Sequence, residues 1–410
     1  MMIKLIKYNM ITPKTIIYHV VANPKVPTNP KYAFDPFTSQ MIRFCKLLHD
    51  NGHIVYFYGC SGCEEFVDHT KYFSIINKKY YDKLEESTNN LSDPRLLTGT
   101  SPDVLKSNLL EKIEKKFYKN LIEKINENYS QYDMVCHFFE NLLGGYKYKN
   151  IIHIQPMQFG GYWEGYLYMV CATDQWYRCI THNKPSNNLL VTSIIHPWFY
   201  KNDYTINKEK WKDTFLYLAR ISNYKGFDIF LRLVEKFPRY NFIVAGGCTK
   251  YDEEEGILYC GEKEYHIKKF KNLEYVGVVY GEKKRELLAN VSALIQPTAY
   301  FEPCGLNAIE AMMSGTPVLA TKFGGYCDTI INNVTGFLCN LDRIKNIGVE
   351  DYSGSLDDWI NVLENKIYLS LNNEDIYNYA HYKFDPHRAY TKYYDFFERV
   401  LTQHINLFRQ

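Results

Sequence analysis

Two carboxylates, Glu302 and Glu310, stand eight positions apart around the segment Pro303-Cys304-Gly305-Leu306-Asn307. Residues 293–296 read as a buried strand ending in a loop. Gly305 opens a helical pattern that Gly315 stops, and residues 317–320 read as the next strand. The amides at such a helix start, with the helix dipole behind them, attract an anion. Glycine at that point lets the backbone come close to a ligand. Carboxylates accept hydrogen bonds from sugar and ribose hydroxyls. One carboxylate before the helix and one inside it can therefore face a single cleft. The alternative leaves Glu302 on the surface and Glu310 as a helix-capping side chain.

These residues need a scaffold, and the rest of the chain describes one. Short apolar runs alternate with helical patterns, which favours α/β architecture with parallel sheets. Residues 15–21 read as a strand, 38–51 as a helix ended by Gly52, and 53–58 as a second strand. The connection 22–37 is long and rich in Pro and Lys. Within 104–128, Leu105, Leu109, Ile113, Phe117, Leu121 and Ile125 recur at steps of four, with a Lys-rich opposite face. That face is either solvated or meets an anionic membrane surface. Further strands are expected at 134–138, 151–154, 169–173 and 189–195. The polar stretch 197–213 reads as an inter-domain linker. A second α/β run places strands at 214–219, 241–245, 273–276, 293–296 and 317–320, with helices between them. Residues 385–409 read as a final helix. In open parallel sheets, ligands bind beyond the carboxyl ends of the strands, so the chemistry belongs in loops facing the cleft between two domains.

Composition narrows the function. A chain of 410 residues, 46% apolar, is too long for one ordinary core and suggests two domains. A formal charge of +2 gives no general attraction to nucleic acid. The eleven cysteines are scattered, and Cys60-Ser61-Gly62-Cys63 is the one close pair. They read as reduced thiols of a cytosolic protein, the pair being a weak zinc or redox signal. The first residues lack a signal-peptide pattern, and no run approaches the ~18 apolar residues of a membrane span. The expectation is a cytoplasmic protein, soluble or peripheral to a membrane.

The segment 302–310 resembles the E-x(7)-E region of family 4 retaining glycosyltransferases, which have the GT-B fold. The resemblance implies that Glu302 binds donor-sugar hydroxyls near the reacting carbon and that Glu310 holds the nucleotide ribose. The amides of Cys304, Gly305, Leu306 and Asn307 would meet the sugar and diphosphate. Gly324-Gly325 followed by Asp328 is similar to the family's next turn. Residues 215–227, FLYLARISNYKGF, resemble the family's strand followed by G/A-R-x(4)-K-G. Arg220 and Lys225 lie just past that strand, where two cations can neutralise a diphosphate leaving group. Residues 242–247 and 273–277 also match in order, and Val276 and Gly277 would lie beside the nucleobase. The resemblance spans 214–337.

The first half is similar to the family more loosely. The Gly-rich loop after the first strand is absent, and Phe34-Asp35-Pro36-Phe37-Thr38-Ser39 stands before the first helix instead. The family often has a His at the end of a mid-domain strand, close to the donor sugar. His153 is the candidate, with Gln155 (nearer the expected strand end) and His137 as alternatives. The Gly160-Gly161 loop could border the acceptor cleft.

What the resemblance implies is a GT-B fold of two Rossmann-like domains facing a central cleft. Residues 1–200 would bind the acceptor and 205–384 the donor, with helix 385–410 packing back on the first domain. The reaction would move a sugar from a nucleotide diphosphate sugar to the hydroxyl of a glycan, lipid-linked or other acceptor, with retention of configuration. No D-x-D triplet occurs in the chain. Arg220, Lys225 and the helix start can hold the diphosphate, so neither a metal nor another cofactor is expected. The partners expected are the nucleotide-sugar donor and the acceptor, not nucleic acid, with peripheral membrane contact as an option. Two alternatives stand beside this: a GT-B-fold nucleotide-sugar epimerase, and a catalytically inactive glycan- or nucleotide-binding module.

Overall fold

A computed structural model describes residues 15–24, 28, 36–67, 69–87, 108–138, 151–158, 168–182, 189–341 and 354–408. The Gly160-Gly161 loop, most of the 22–37 connection and residues 104–107 lie outside them.

The first half contributes seven strands: β1 (Ile17–Val21), β2 (Ile54–Cys60), β3 (Lys71–Ile76), β4 (Met134–His137), β5 (Ile152–Gln158), β6 (Tyr168–Cys171) and β7 (Val191–Ile194). They form one sheet in the order β3-β2-β1-β4-β5-β6-β7, parallel throughout. Its helices are α1 (Pro36–Asp50), α2 (Lys79–Ser87), α3 (Asn108–Asn128) and α4 (Asp174–Thr181). On α3 the expected stripe is real: Ile113, Phe117, Leu121 and Ile125 are buried. On its other face Lys115 pairs with Glu111 and Lys124 with Glu127, so the charge there is mixed rather than purely basic.

The second half builds a six-stranded parallel sheet from β8 (Thr214–Leu218), β9 (Asn241–Ala245), β13 (Leu273–Tyr275), β14 (Ala293–Gln296), β15 (Val318–Thr321) and β16 (Gly336–Cys339). Its order is β13-β9-β8-β14-β15-β16. Every residue of β8 is buried, as expected of a strand covered by helices on both faces. The helices are α5 (Phe227–Lys236), α6 (Gly281–Asn290), α7 (Leu306–Met313), α8 (Tyr326–Thr329), α9 (Asp357–Glu364) and α10 (Asn373–Lys383). Between β9 and β13, where a helix was expected, the chain forms an antiparallel meander of β10 (Lys250–Asp252), β11 (Ile257–Cys260) and β12 (Lys263–His266). Tyr251, Leu258 and Tyr265 sit opposite one another across it. This is a period-2 pattern, and a helix would scatter those three side chains.

The stretch 197–213 is not merely a polar linker. Trp198, Phe199 and Tyr204 within it are buried. The last helix, α11 (Pro386–Phe408), begins with Pro, whose missing N–H costs nothing at a helix start. It lies against the first sheet. The Phe397 ring packs 4.9 Å from Tyr18, Tyr393 packs 5.3 Å from Phe44, and the Tyr393 hydroxyl donates to Pro156 O. No described helix is long and apolar enough to cross a membrane. None of the eleven cysteines forms a disulfide, and the Cys60 and Cys63 sulfurs lie 3.2 Å apart at the end of β2.

Candidate active site

The site forms where β8, β14 and β15 end. Gly226 caps α5 in the left-handed region (φ +71°), and a β-carbon there would overlap the carbonyl of Pro297. That close approach, with Ala299 N donating to Tyr224 O at 2.9 Å, lays the turn 222–226 on the loop before Glu302. Lys225 Nζ consequently lies 2.9 Å from Glu302 Oε2 and donates to the Tyr300 hydroxyl at 2.8 Å. Tyr300 in turn donates to Glu302 Oε2 at 2.8 Å. The other carboxylate oxygen accepts from Gly305 N at 3.2 Å.

Gly305 caps α7 at φ +78°, against the ring of Tyr326. Gly325 N donates to Glu302 O at 2.6 Å, so the Gly324-Gly325 turn grips the Glu302 backbone. Burial alone would raise the Glu302 carboxyl. The Lys225 charge, with hydrogen bonds from Lys225, Tyr300 and Gly305, outweighs it and holds the group below the usual carboxylate range.

Glu310, equally buried, is held in the same way by different partners. Burial raises its carboxyl, but Lys284 at 2.5 Å and Arg43 at 3.9 Å bring it below the ordinary value, helped by a 3.0 Å hydrogen bond from Tyr204. Lys284 also donates to Asn307 Oδ1 at 3.2 Å, and Asn307 Nδ2 donates to Leu218 O at 2.6 Å, tying α7 to the end of β8. Arg43 belongs to α1, so one cation on this carboxylate comes from the first half of the chain.

Arg220 follows β8, its carbonyl held by the Tyr217 hydroxyl at 2.8 Å. Its charge acts on Tyr300 on one side and on Cys260 of the meander on the other. Cys304 is buried, and burial pushes its thiol well up, so it stays protonated. Leu306 is half-buried at the start of α7. Val276 N bonds Val244 O at 3.0 Å, and Gly277 O accepts from Gly246 N at 2.8 Å just past β13. Gly277, at φ +72°, has open space where a side chain would be.

The first half reaches this region through the turn after β6. Thr173 Oγ1 donates to Pro303 O at 2.6 Å, Gln175 N donates to Asp328 Oδ2 at 2.8 Å, and Trp176 packs 6.0 Å from Phe301. His153 is placed elsewhere. It sits within β5 opposite Val135, and its Nδ1 lies 2.9 Å from His137 Nε2. Burial lowers it to about 4, so it is neutral near pH 7, and its buried Nε2 has no hydrogen-bond partner. Strand β5 runs on to Gln158, so Gln155 is also a mid-strand residue rather than the strand end that the pattern suggested. Tyr300, Lys284, Arg43 and Tyr204 were not legible as site residues. Tyr300 stands two positions before Glu302, outside the motif, and nothing in its neighbours marked it.

Residues 199–348 match the family model for glycosyl transferases group 1. The chain carries a group 1 glycosyltransferase domain. An uncharacterized glycosyltransferase of Methanocaldococcus jannaschii is 24% identical over 172 residues, covering 38% of this chain and 42% of that relative. Glycogen synthase of Lactococcus lactis is 34% identical over 115 residues, covering 28% and 23%. The chain thus spans less than half the length of these curated relatives. Solved structures agree over nearly the whole fold. Sucrose-phosphate synthase from Thermosynechococcus elongatus superposes with a TM-score of 0.62 at 14% identity, covering 96% of this chain and 98% of that one. Anabaena HepE, in complex with UDP and glucose, gives 0.57 at 14% identity, covering 93% and 98%. The fold is GT-B. The matched stretch includes Arg220 and Lys225, just past β8, Glu302, just past the neighbouring β14, and Glu310 within α7.

Proposed function

We propose that this protein transfers a glycosyl group from a nucleotide diphosphate sugar to an acceptor hydroxyl, with retention of configuration and without a metal. The observation that carries the reading is the Lys225–Glu302 pair at the start of α7, with Arg220 beside it. Cations beside a helix start would suit a departing diphosphate, and a carboxylate next to them would suit sugar hydroxyls, which supports this reading.

In this reading Arg220 and Lys225 take up the charge that develops on the diphosphate as the bond from anomeric carbon to phosphate oxygen breaks. Glu302 accepts hydrogen bonds from the donor sugar, and Glu310 from the ribose. Glu302 is already engaged by Lys225, Tyr300 and Gly305, which suits a binding role better than a covalent nucleophile. The acceptor oxygen then forms its bond on the face the leaving group departs from. Its proton passes to the departing phosphate oxygen. The first half of the chain would present the acceptor: a glycan, a lipid-linked saccharide or another hydroxyl compound.

A binding screen of UDP-, GDP- and ADP-sugars comes first, and the UDP and glucose held by HepE make UDP-sugars the first to try. With the donor in hand, Glu302→Ala and Lys225→Ala should each lower transfer by on the order of a hundredfold or more while the fold persists. Full activity in either purified variant would overturn the assignment.

A further inference from the structure

Tyr300 belongs to none of the motifs that define the donor site, yet it touches two of their residues. It lies in the loop between β14 and Glu302. Its hydroxyl accepts from Lys225 Nζ at 2.8 Å and donates to Glu302 Oε2 at 2.8 Å, and Lys225 donates to that same oxygen at 2.9 Å. The three groups close a triangle. A phenol serves both neighbours at once because it carries one donor and accepting lone pairs. A phenyl ring would serve neither.

Lys225 and Glu302 both have flexible side chains, and a lysine ammonium is a point charge on four rotatable carbons. Paired only with each other, they can meet in several geometries. The Tyr300 ring turns about only two torsions and hangs from a loop pinned by the Ala299–Tyr224 hydrogen bond. It therefore selects one geometry. The ammonium keeps a third N–H for a phosphate oxygen, and the carboxylate, fixed on its other side by Gly305 N, keeps lone pairs for sugar hydroxyls.

We propose that Tyr300 is the positioning residue of the donor-sugar subsite. Its hydroxyl sets the Glu302 carboxylate and the Lys225 ammonium in one arrangement, and through it the protein favours a nucleotide sugar over the bare nucleotide diphosphate. This rests on the transfer reading above. It has a second consequence. The Tyr300 hydrogen bond is one of the interactions that hold the Glu302 carboxyl low, so its loss moves that carboxyl upward.

The test is Tyr300→Phe in the full chain, titrated by calorimetry with UDP, GDP and ADP and with their glucose conjugates, at several pH values from neutral down to about pH 4. Wild type should bind one nucleotide sugar more tightly than its nucleotide diphosphate. The variant should hold the nucleotide diphosphate within about twofold but lose on the order of tenfold for the nucleotide sugar, the loss expected for a hydrogen bond to a charged group. Its nucleotide-sugar affinity should also begin to fall at a higher pH than that of wild type. Equal losses for nucleotide and nucleotide sugar would mean a merely structural tyrosine, and unchanged affinities would mean no role; either overturns the inference. If wild type binds none of the nucleotide sugars, the transfer reading fails and takes this one with it.

Discussion

Glu302 and Glu310 are both buried, and both are kept ionised by cations from other elements. That has a consequence for stability. A carboxyl whose folded pKa lies below its unfolded value contributes stability that is complete above the unfolded value, about 4.3 for Glu, and is lost as pH falls through the folded one. Thermal midpoints measured on acidification should therefore fall below about pH 4.3, and Glu310→Gln should flatten that fall. Removing a cation while the carboxylate stays acts in the other direction. Lys284→Met strips Glu310 of its nearest positive partner, and urea unfolding should show a loss of about 3 kcal/mol. At this scale Glu302, Glu310, Arg220 and Lys225 stood out in the sequence because their types and spacing match a motif. Arg43, Lys284 and Tyr300 were not, since each acts on a group far away in the chain or unmarked by pattern.

At the scale of the element, glycines decide how close the loops come. The turn 222–226 can rest on Pro297 only because residue 226 has no β-carbon and tolerates a positive φ. Gly226→Ala should destabilise by about 2 kcal/mol or more, through backbone overlap as well as conformational strain. Chemical denaturation would measure it, and donor affinity should drop with it because Lys225 is displaced. The strands of the second sheet were nearly all readable, since apolar runs of that length between turn signals leave little choice. Strands β3 and β16 and the meander were missed. The meander strands are only three or four residues long, and their other face mixes Lys250, Asp252, Glu264 and His266 with Ile257 and Tyr259, so the alternation shows only once Tyr251, Leu258 and Tyr265 are seen side by side.

At the scale of the whole molecule, α11 leaves the second half and closes the core of the first. Phe397 packs against Tyr18, Phe44 and Tyr393 and is almost wholly buried. Phe397→Ala should cost about 3–5 kcal/mol, read from the shift in urea unfolding. The turn after β6 meets the Glu302 loop and the Asp328 turn, which puts first-half residues beside the candidate site.

The sequence by itself determined the α/β class, singled out Arg220, Lys225, Glu302 and Glu310, and located the second sheet's main strands along the chain. These follow from local period and from motif spacing, which a linear chain displays. Tertiary structure alone decided what those residues touch: that Arg43 and Lys284 neutralise Glu310, that Tyr300 joins Lys225 to Glu302, and that His153 lies inside a sheet. Burial and ion pairing depend on distances between segments, and the order of residues along a chain does not contain those distances.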